Sequence, residues 1–291
     1  MAMTVAAPYV ADAISRFPRR TPRILFALWL LLQFAAPFSG STASLLWLEA
    51  VDLFIAYLFW MAIRNRGASF RGDAARIRRD YSLRLVVVGV VAQILMVGSS
   101  FSYIYKGQHF LTLVPFTDDP TSHTVFNLLV AIGTFTVVPV CEELLFRGLL
   151  ASNSGFRHGK WAMLGYAAFS FATLHVTQNF WPTFLSATVW ALILRHTKNI
   201  TISISLHATW NFLCSLPFLI GFVVPHFVGW NGLVSAPVYA SVHAVCRVVG
   251  FSLYAVLIIY LARSSNGWSR QSRRRHARVR LEARGRELVA A

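Results

Sequence analysis

Two adjacent acids and an arginine interrupt an apolar run, Val137-Val138-Pro139-Val140-Cys141-Glu142-Glu143-Leu144-Leu145-Phe146-Arg147-Gly148. An ionisable side chain within such a run costs about 2.5–3.5 kcal/mol on insertion scales, so each needs a reason to be there. Glu143 and Arg147 stand one helical turn apart, in the Glu-before-Arg order that favours a pair. They read as structural support. Glu142 points about 100° away around the helix and has no cation on its own helix. A carboxylate without a partner in a lipid-shielded helix reads as functional rather than structural.

Two further apolar runs carry imidazoles. His175 closes Phe171-Ala172-Thr173-Leu174-His175, and His207 precedes Asn211 by one turn on the same face of His207-Ala208-Thr209-Trp210-Asn211. A single histidine on an apolar helix is more often a hydrogen-bonded bundle residue than a catalyst. Polar groups on three helices, together with an unpartnered acid, favour chemistry.

Three readings of these groups stand open. Two histidines and a glutamate are a familiar catalytic zinc set, but no His-Glu-x-x-His is present and the histidines belong to separate runs. Cys141 with His175 could form a thiolate–imidazole nucleophile. The third is a non-proteolytic scaffold, transporter or immunity protein that keeps its polar groups for packing or proton relay. Glu49 and Asp52, one turn apart in another apolar run, could feed such a relay, although bundle hydrogen bonding suits them better.

The elements that must position these groups follow from composition. Of 291 residues, 56% are apolar and only 13% charged, against about a quarter charged in soluble domains. One water-soluble core could not hide nine Trp and 23 Phe, so the expectation is an all-α, polytopic membrane bundle. Cys141, Cys214 and Cys246 show no paired spacing and read as small buried residues. Stretches apolar and long enough to cross a bilayer fall near 24–38, 43–63, 83–105, 125–152, 161–177, 181–195, 200–217 and 236–262, about eight spans. The piece between the last two, Phe218 to Ser235, is broken by Gly221, Pro225, Gly229 and Gly232, and reads as a loop, a re-entrant piece or a helix continuation. The first run has no clear small-residue cleavage site and is not a removed signal peptide.

Cation placement gives sidedness. Arg16, Arg19, Arg20 and Arg23 precede the first run, seven arginines from Arg64 to Arg84 fill the second connection, and nine from Arg263 to Arg286 form the tail. With Arg157, Lys160, Arg195 and Lys198 these all fall on one side of an eight-span arrangement, opposite Asp118 and Asp119. Positive charge collects on the cytoplasmic side, so both termini are expected there. Such a tail suits anionic headgroups better than nucleic acid, because every loop on that side shares the bias. The chain then divides into a basic N-terminus (1–23), N-terminal membrane helices (24–124), a core carrying the three motifs (125–217), a C-terminal membrane segment (218–262) and the Arg-rich tail (263–291).

Depth offers a geometric expectation. At 1.5 Å per residue, Glu142 and Asn211 lie about 16 Å from the cytoplasmic face, His175 about 21 Å and His207 about 10 Å. All four would then share the cytoplasmic half of the bilayer.

The three elements, Glu142-Glu143-x-x-x-Arg147, Phe171-x-x-x-His175 and His207-x-x-x-Asn211, resemble the signature of the CAAX protease and bacteriocin-processing (Abi) family, which includes the Ras-converting CAAX endopeptidases. Each motif alone is weak; three in order, on separate helices, are specific. The resemblance covers about Val125 to Leu216 and leaves the first three spans and the tail aside. It implies a metal-independent intramembrane glutamic endopeptidase with no cofactor. Glu142 would activate water, and His175 would hold it or protonate the leaving amine. His207 and Asn211 would donate to the oxyanion, with Glu143, Arg147 and Phe171 supporting the site. The implied substrate is a membrane-proximal or lipid-anchored peptide or protein. Compact loops and the predominance of arginine point to a bacterial cytoplasmic membrane.

Overall fold

The computed structural model describes residues 10–15, 17, 21–35, 42–77, 82–98, 124–151, 165–174, 180–223 and 241–263. Expectations placed on His175, Asp118, Asp119, Arg157, Lys160, residues 224–235 and the tail beyond 263 lie outside them. Every regular element among the described residues is a helix. They are α1 (Val10–Ser15), α2 (Thr21–Phe34), α3 (Thr42–Arg64), α4 (Phe70–Arg76) and α5 (Ser82–Gln93), the last running into a π turn, Ile94–Gly98. Then come α6 (Thr124–Glu142), a π-helical continuation (Glu143–Ala151), a π turn (Gly165–Phe169) leading into α7 (Ser170–Leu174), α8 (Phe180–Thr197), α9 (Ile200–Val223) and α10 (Ser241–Arg263). Each of the eight apolar stretches marked out in the sequence contains one of these helices. The ambiguous piece after residue 217 begins as a continuation of α9, as far as Val223.

The surface carries many large apolar side chains. Leu53, Phe54, Tyr57 and Trp60 on α3 and Val245, Val248, Val256 and Ile259 on α10 all face outward, more contiguous apolar surface than water tolerates. Two described helical segments, Leu128–Gly148 and Ser241–Arg263, are long and apolar enough to cross a membrane. Where helices meet, small residues let the backbones approach, as is usual in bilayers. A Cβ on Gly89 of α5 would stand 2.9 Å from Leu206 of α9, and one on Gly250 of α10 would stand 2.9 Å from the Ala92 carbonyl of α5.

The helix α9 is central, packing against α5, α6 and α8. Its start is firmly set. Lys198 takes φ +59° between α8 and α9, and Asn199 caps α9 by accepting the Thr201 N–H at 3.1 Å. The Asn199 amide also donates to the Asp73 carbonyl at 2.7 Å, and the Asp73 carboxyl accepts the Val10 N–H of α1 at 3.3 Å. Both connecting residues and α1 thus fix the end of α9 from which Ser203 and His207 are counted.

One element departs from the regular helix expected over 125–152. The α-helical ladder ends at Glu142 and the chain winds on as a π-helix. Pro139 lies inside α6 within a turn of the changeover; lacking an N–H, it removes a bond from the ladder. Wider i→i+5 winding advances less per residue, which bears directly on where Glu142 sits.

Candidate active site

The motif residues on α6 and α9 meet at the junction of α6 with its π-helical continuation. Glu143 and Arg147 are both wholly buried and pair at 2.8 Å, Oε1 to a terminal guanidinium nitrogen. The guanidinium lies 4.3 Å over the Phe171 ring and 5.3 Å from that of Trp190, so two aromatic faces flank it. Ser203, one turn before His207 on α9, donates to Glu143 Oε2. His207 Nδ1 lies 3.0 Å from Glu143 Oε1. With Glu143 serving as acceptor for arginine, serine and imidazole together, Nδ1 carries the hydrogen.

That leaves His207 Nε2, which faces Glu142 Oε2 at 3.4 Å. The structure therefore corrects the reading of Glu142 as a carboxylate without a partner. Its partner comes from α9, which counting residues along a single helix could not reveal. The imidazole is held on three sides: the Trp190 ring stacks on it at 4.5 Å and 23°, and Phe171 meets it edge-on at 5.4 Å. Its rotation is thus fixed by packing as well as by Glu143. Held this way, Nε2 accepts a proton in the neutral imidazole and donates one in the imidazolium.

The expected depths change too. Glu142 meets His207 rather than Asn211. The π-helical residues between Glu142 and Ala151 climb less steeply than 1.5 Å each, which brings Glu142 nearer the depth of His207. Asn211, one turn further along α9, donates instead to the Thr134 carbonyl of α6 at 2.9 Å. One amide hydrogen remains for other use. The structure thus brings Glu142, Glu143, Arg147, Phe171 and His207 together, places Asn211 beside Thr134, and leaves His175 outside the described residues.

Three residues that touch this constellation had no assigned part in it. Ser203 could have been found, since it shares the His207 face at i−4. Trp190 gave no signal, being one aromatic in an apolar helix. Asp52, 6% exposed, accepts from Trp29 Nε1 at 2.9 Å, from Gln33 Nε2 at 3.1 Å and from the Cys141 thiol at 3.6 Å. The Cys141 thiol is thereby committed to a carboxylate, which disfavours it as a nucleophile. Among the described residues, no three His, Cys, Asp or Glu side chains are grouped to hold a metal ion.

Against known proteins, residues 124–213 match the family model described as type II CAAX prenyl endopeptidase Rce1-like. The matched stretch contains all three motifs, so the resemblance read from Glu142-Glu143-x-x-x-Arg147, Phe171-x-x-x-His175 and His207-x-x-x-Asn211 is the family that this segment matches. No curated protein and no solved structure matches the chain.

Proposed function

We propose that this protein is a multi-pass membrane endopeptidase in which Glu142 activates water to hydrolyse a peptide bond of a membrane-proximal or lipid-anchored substrate. The family match, to endopeptidases acting on prenylated CAAX termini, supports the reaction class. The observation that carries the mechanism is the single imidazole shared by two glutamates from one helix, 3.4 Å from Glu142 and 3.0 Å from Glu143.

The two carboxyls have separate work. Glu143 is wholly buried and already engaged by Arg147, Ser203 and His207, so it acts as the anchor of the imidazole. Glu142, at 8% exposure, sits at the rim of this cluster, where its Oε2 meets the imidazole, and takes the proton from water. Attack on the scissile carbonyl forms a tetrahedral oxyanion. A preorganised donor to such an oxyanion is commonly worth about 2.7–4 kcal/mol of barrier. In its protonated state His207 offers Nε2–H for that purpose, and the second Asn211 amide hydrogen is the other donor on α9. The proton taken by Glu142 then passes to the leaving amine, which departs neutral. His175 is assigned to that transfer by the motif.

The spans, with both termini cytoplasmic and the arginine-rich connections against anionic headgroups, would present this site to the cytoplasmic half of a bacterial membrane. No cofactor enters the mechanism. The test is Glu142→Gln in the full chain reconstituted in liposomes, with cleavage of a farnesylated CAAX-terminated peptide followed by mass spectrometry. Glutamine keeps the shape and removes the base, so the variant should fold and lose at least about 100-fold in rate, the usual worth of a general base. Full activity in Glu142→Gln would refute the assignment. Activity abolished by chelation would favour a metal instead.

A further inference from the structure

The short helix α1, ahead of the first long apolar run and outside the stretch that matches the family model, is packed into the bundle. Val10, Ala11, Ala13 and Ile14 are buried, and so is Phe17, whose N–H closes the helix on the Ile14 carbonyl at 3.0 Å. Six residues do not make a stable helix by themselves, so what holds α1 is its seat. The Asp73 carboxyl accepts the Val10 N–H at 3.3 Å, and the Arg66 guanidinium lies 4.2 Å over the Phe17 ring. From there α1 packs against α3 and against the π-helical stretch Glu143–Ala151. The second contact is made at Gly148. A Cβ on Gly148 would stand 3.0 Å from Ile14 Cδ1, 3.4 Å from Ile200 Cδ1 and 3.7 Å from the Glu143 carbonyl. Ile14 thus fills the place of the side chain that position 148 lacks, beside the first residue of α9.

Both sides of that contact lead to the candidate site. Gly148 follows Arg147, the partner of Glu143 at 2.8 Å, and in i→i+5 winding it lies one turn on from Glu143 itself. Ile200 precedes His207 by two turns on one face of α9, about 20° apart around the helix. We infer that Ile14 is a positioning residue, a wedge between the π-helical stretch and α9 that sets how Glu142 and Glu143 meet the His207 imidazole. Its effect on rate rests on the proposed role of Glu142; its effect on the His207 contacts does not. If α1 served only to cover the end of the bundle, disturbing it would lower stability and leave the His207 contacts of the folded protein unchanged.

The test crowds the wedge and then relieves it. Gly148→Ala brings a methyl group against Ile14 Cδ1, and Ile14→Val removes that atom, so the double variant regains the fit. In liposomes, with the farnesylated peptide, Gly148→Ala should lower kcat by about 10- to 100-fold, as a misplacement on the ångström scale does, and leave KM nearly unchanged. Adding Ile14→Val should restore most of the loss. A double variant no better than Gly148→Ala, or a Gly148→Ala variant with full kcat, overturns the inference. A second measurement needs no turnover. The ring nitrogens of isotope-labelled His207, assigned through His207→Gln, are followed by NMR in nanodiscs. Their signals should move in Gly148→Ala and return in the double variant. Unmoved signals in folded Gly148→Ala overturn the inference whether or not the peptide is cleaved; a wild type that cleaves nothing counts against the proposed function alone. Should Gly148→Ala fail to fold, Ile14→Val by itself leaves a gap beside Gly148. It must still move the His207 signals, and unmoved signals there refute the wedge.

Discussion

Replacing Arg147 by methionine isolates the charge at the centre of the cluster. The guanidinium and Glu143 are both fully buried and 2.8 Å apart, so the methionine variant leaves a carboxylate in the bundle without its cation. Breaking a buried pair from one side costs about 3–5 kcal/mol. An upper bound comes from chemistry: protonating an ordinary glutamate at pH 7 costs about 3.7 kcal/mol, from a reference value of 4.3 and 1.36 kcal/mol per unit. The ring contacts with Phe171 and Trp190 are partly kept, because methionine also packs against aromatic faces. The expected loss at pH 7 is therefore about 3–4 kcal/mol, a hundred- to thousandfold fall in the folded ratio. It should shrink as pH falls toward that of an ordinary glutamate, since the escape route becomes cheaper. Glu143→Gln added to Arg147→Met should recover much of the loss, because it removes the stranded charge and keeps an acceptor for Ser203. The assay is reversible unfolding in mixed micelles at pH 7 and pH 5, as a double-mutant cycle. A loss below about 1 kcal/mol for Arg147→Met, or no recovery in the double variant, would refute a buried, desolvated pair.

Asn199→Ala removes both the cap on Thr201 and the bond to the Asp73 carbonyl. It should lower the unfolding free energy by about 1–2 kcal/mol, read by thermal melting in micelles. Gly250→Val would put a Cβ 2.6 Å from Met96 and 2.9 Å from the Ala92 carbonyl; since backbone cannot yield as a side chain does, a cost of about 1–3 kcal/mol is expected in the same melt. Glu142→Gln should lose at least about 100-fold in rate in the cleavage assay described above while melting like the unsubstituted protein.

The helices were legible because apolar runs of this length have few other uses, and each of the eight overlaps a described helix. Glu143–Arg147 was legible because both partners lie on one helix, where spacing alone fixes geometry. The partner of Glu142 was not, for the complementary reason. His207 lies on α9, and only the relative depth of two helices decides whether they meet. That depth depends on the winding after Glu142. The rise of a regular α-helix places the acid opposite Asn211; the π-helical stretch places it opposite His207. Pro139 was visible in the sequence, but a missing N–H does not say where along the helix the ladder will reorganise.

This dependence gives the π-helical stretch a functional consequence. Straightening Glu143–Ala151 into an α-helix would move Glu142 and Glu143 together against His207 on α9, since the stretch contains Glu143 and Arg147. Of the two contacts in the Glu143–His207–Glu142 bridge, the one to Glu142, at 3.4 Å, is the longer. Stability and reactivity are thus assigned to neighbouring residues by geometry. The anchor is the acid whose partners are local and on α9 alike. The candidate base is the one whose position is decided by the local winding of the chain.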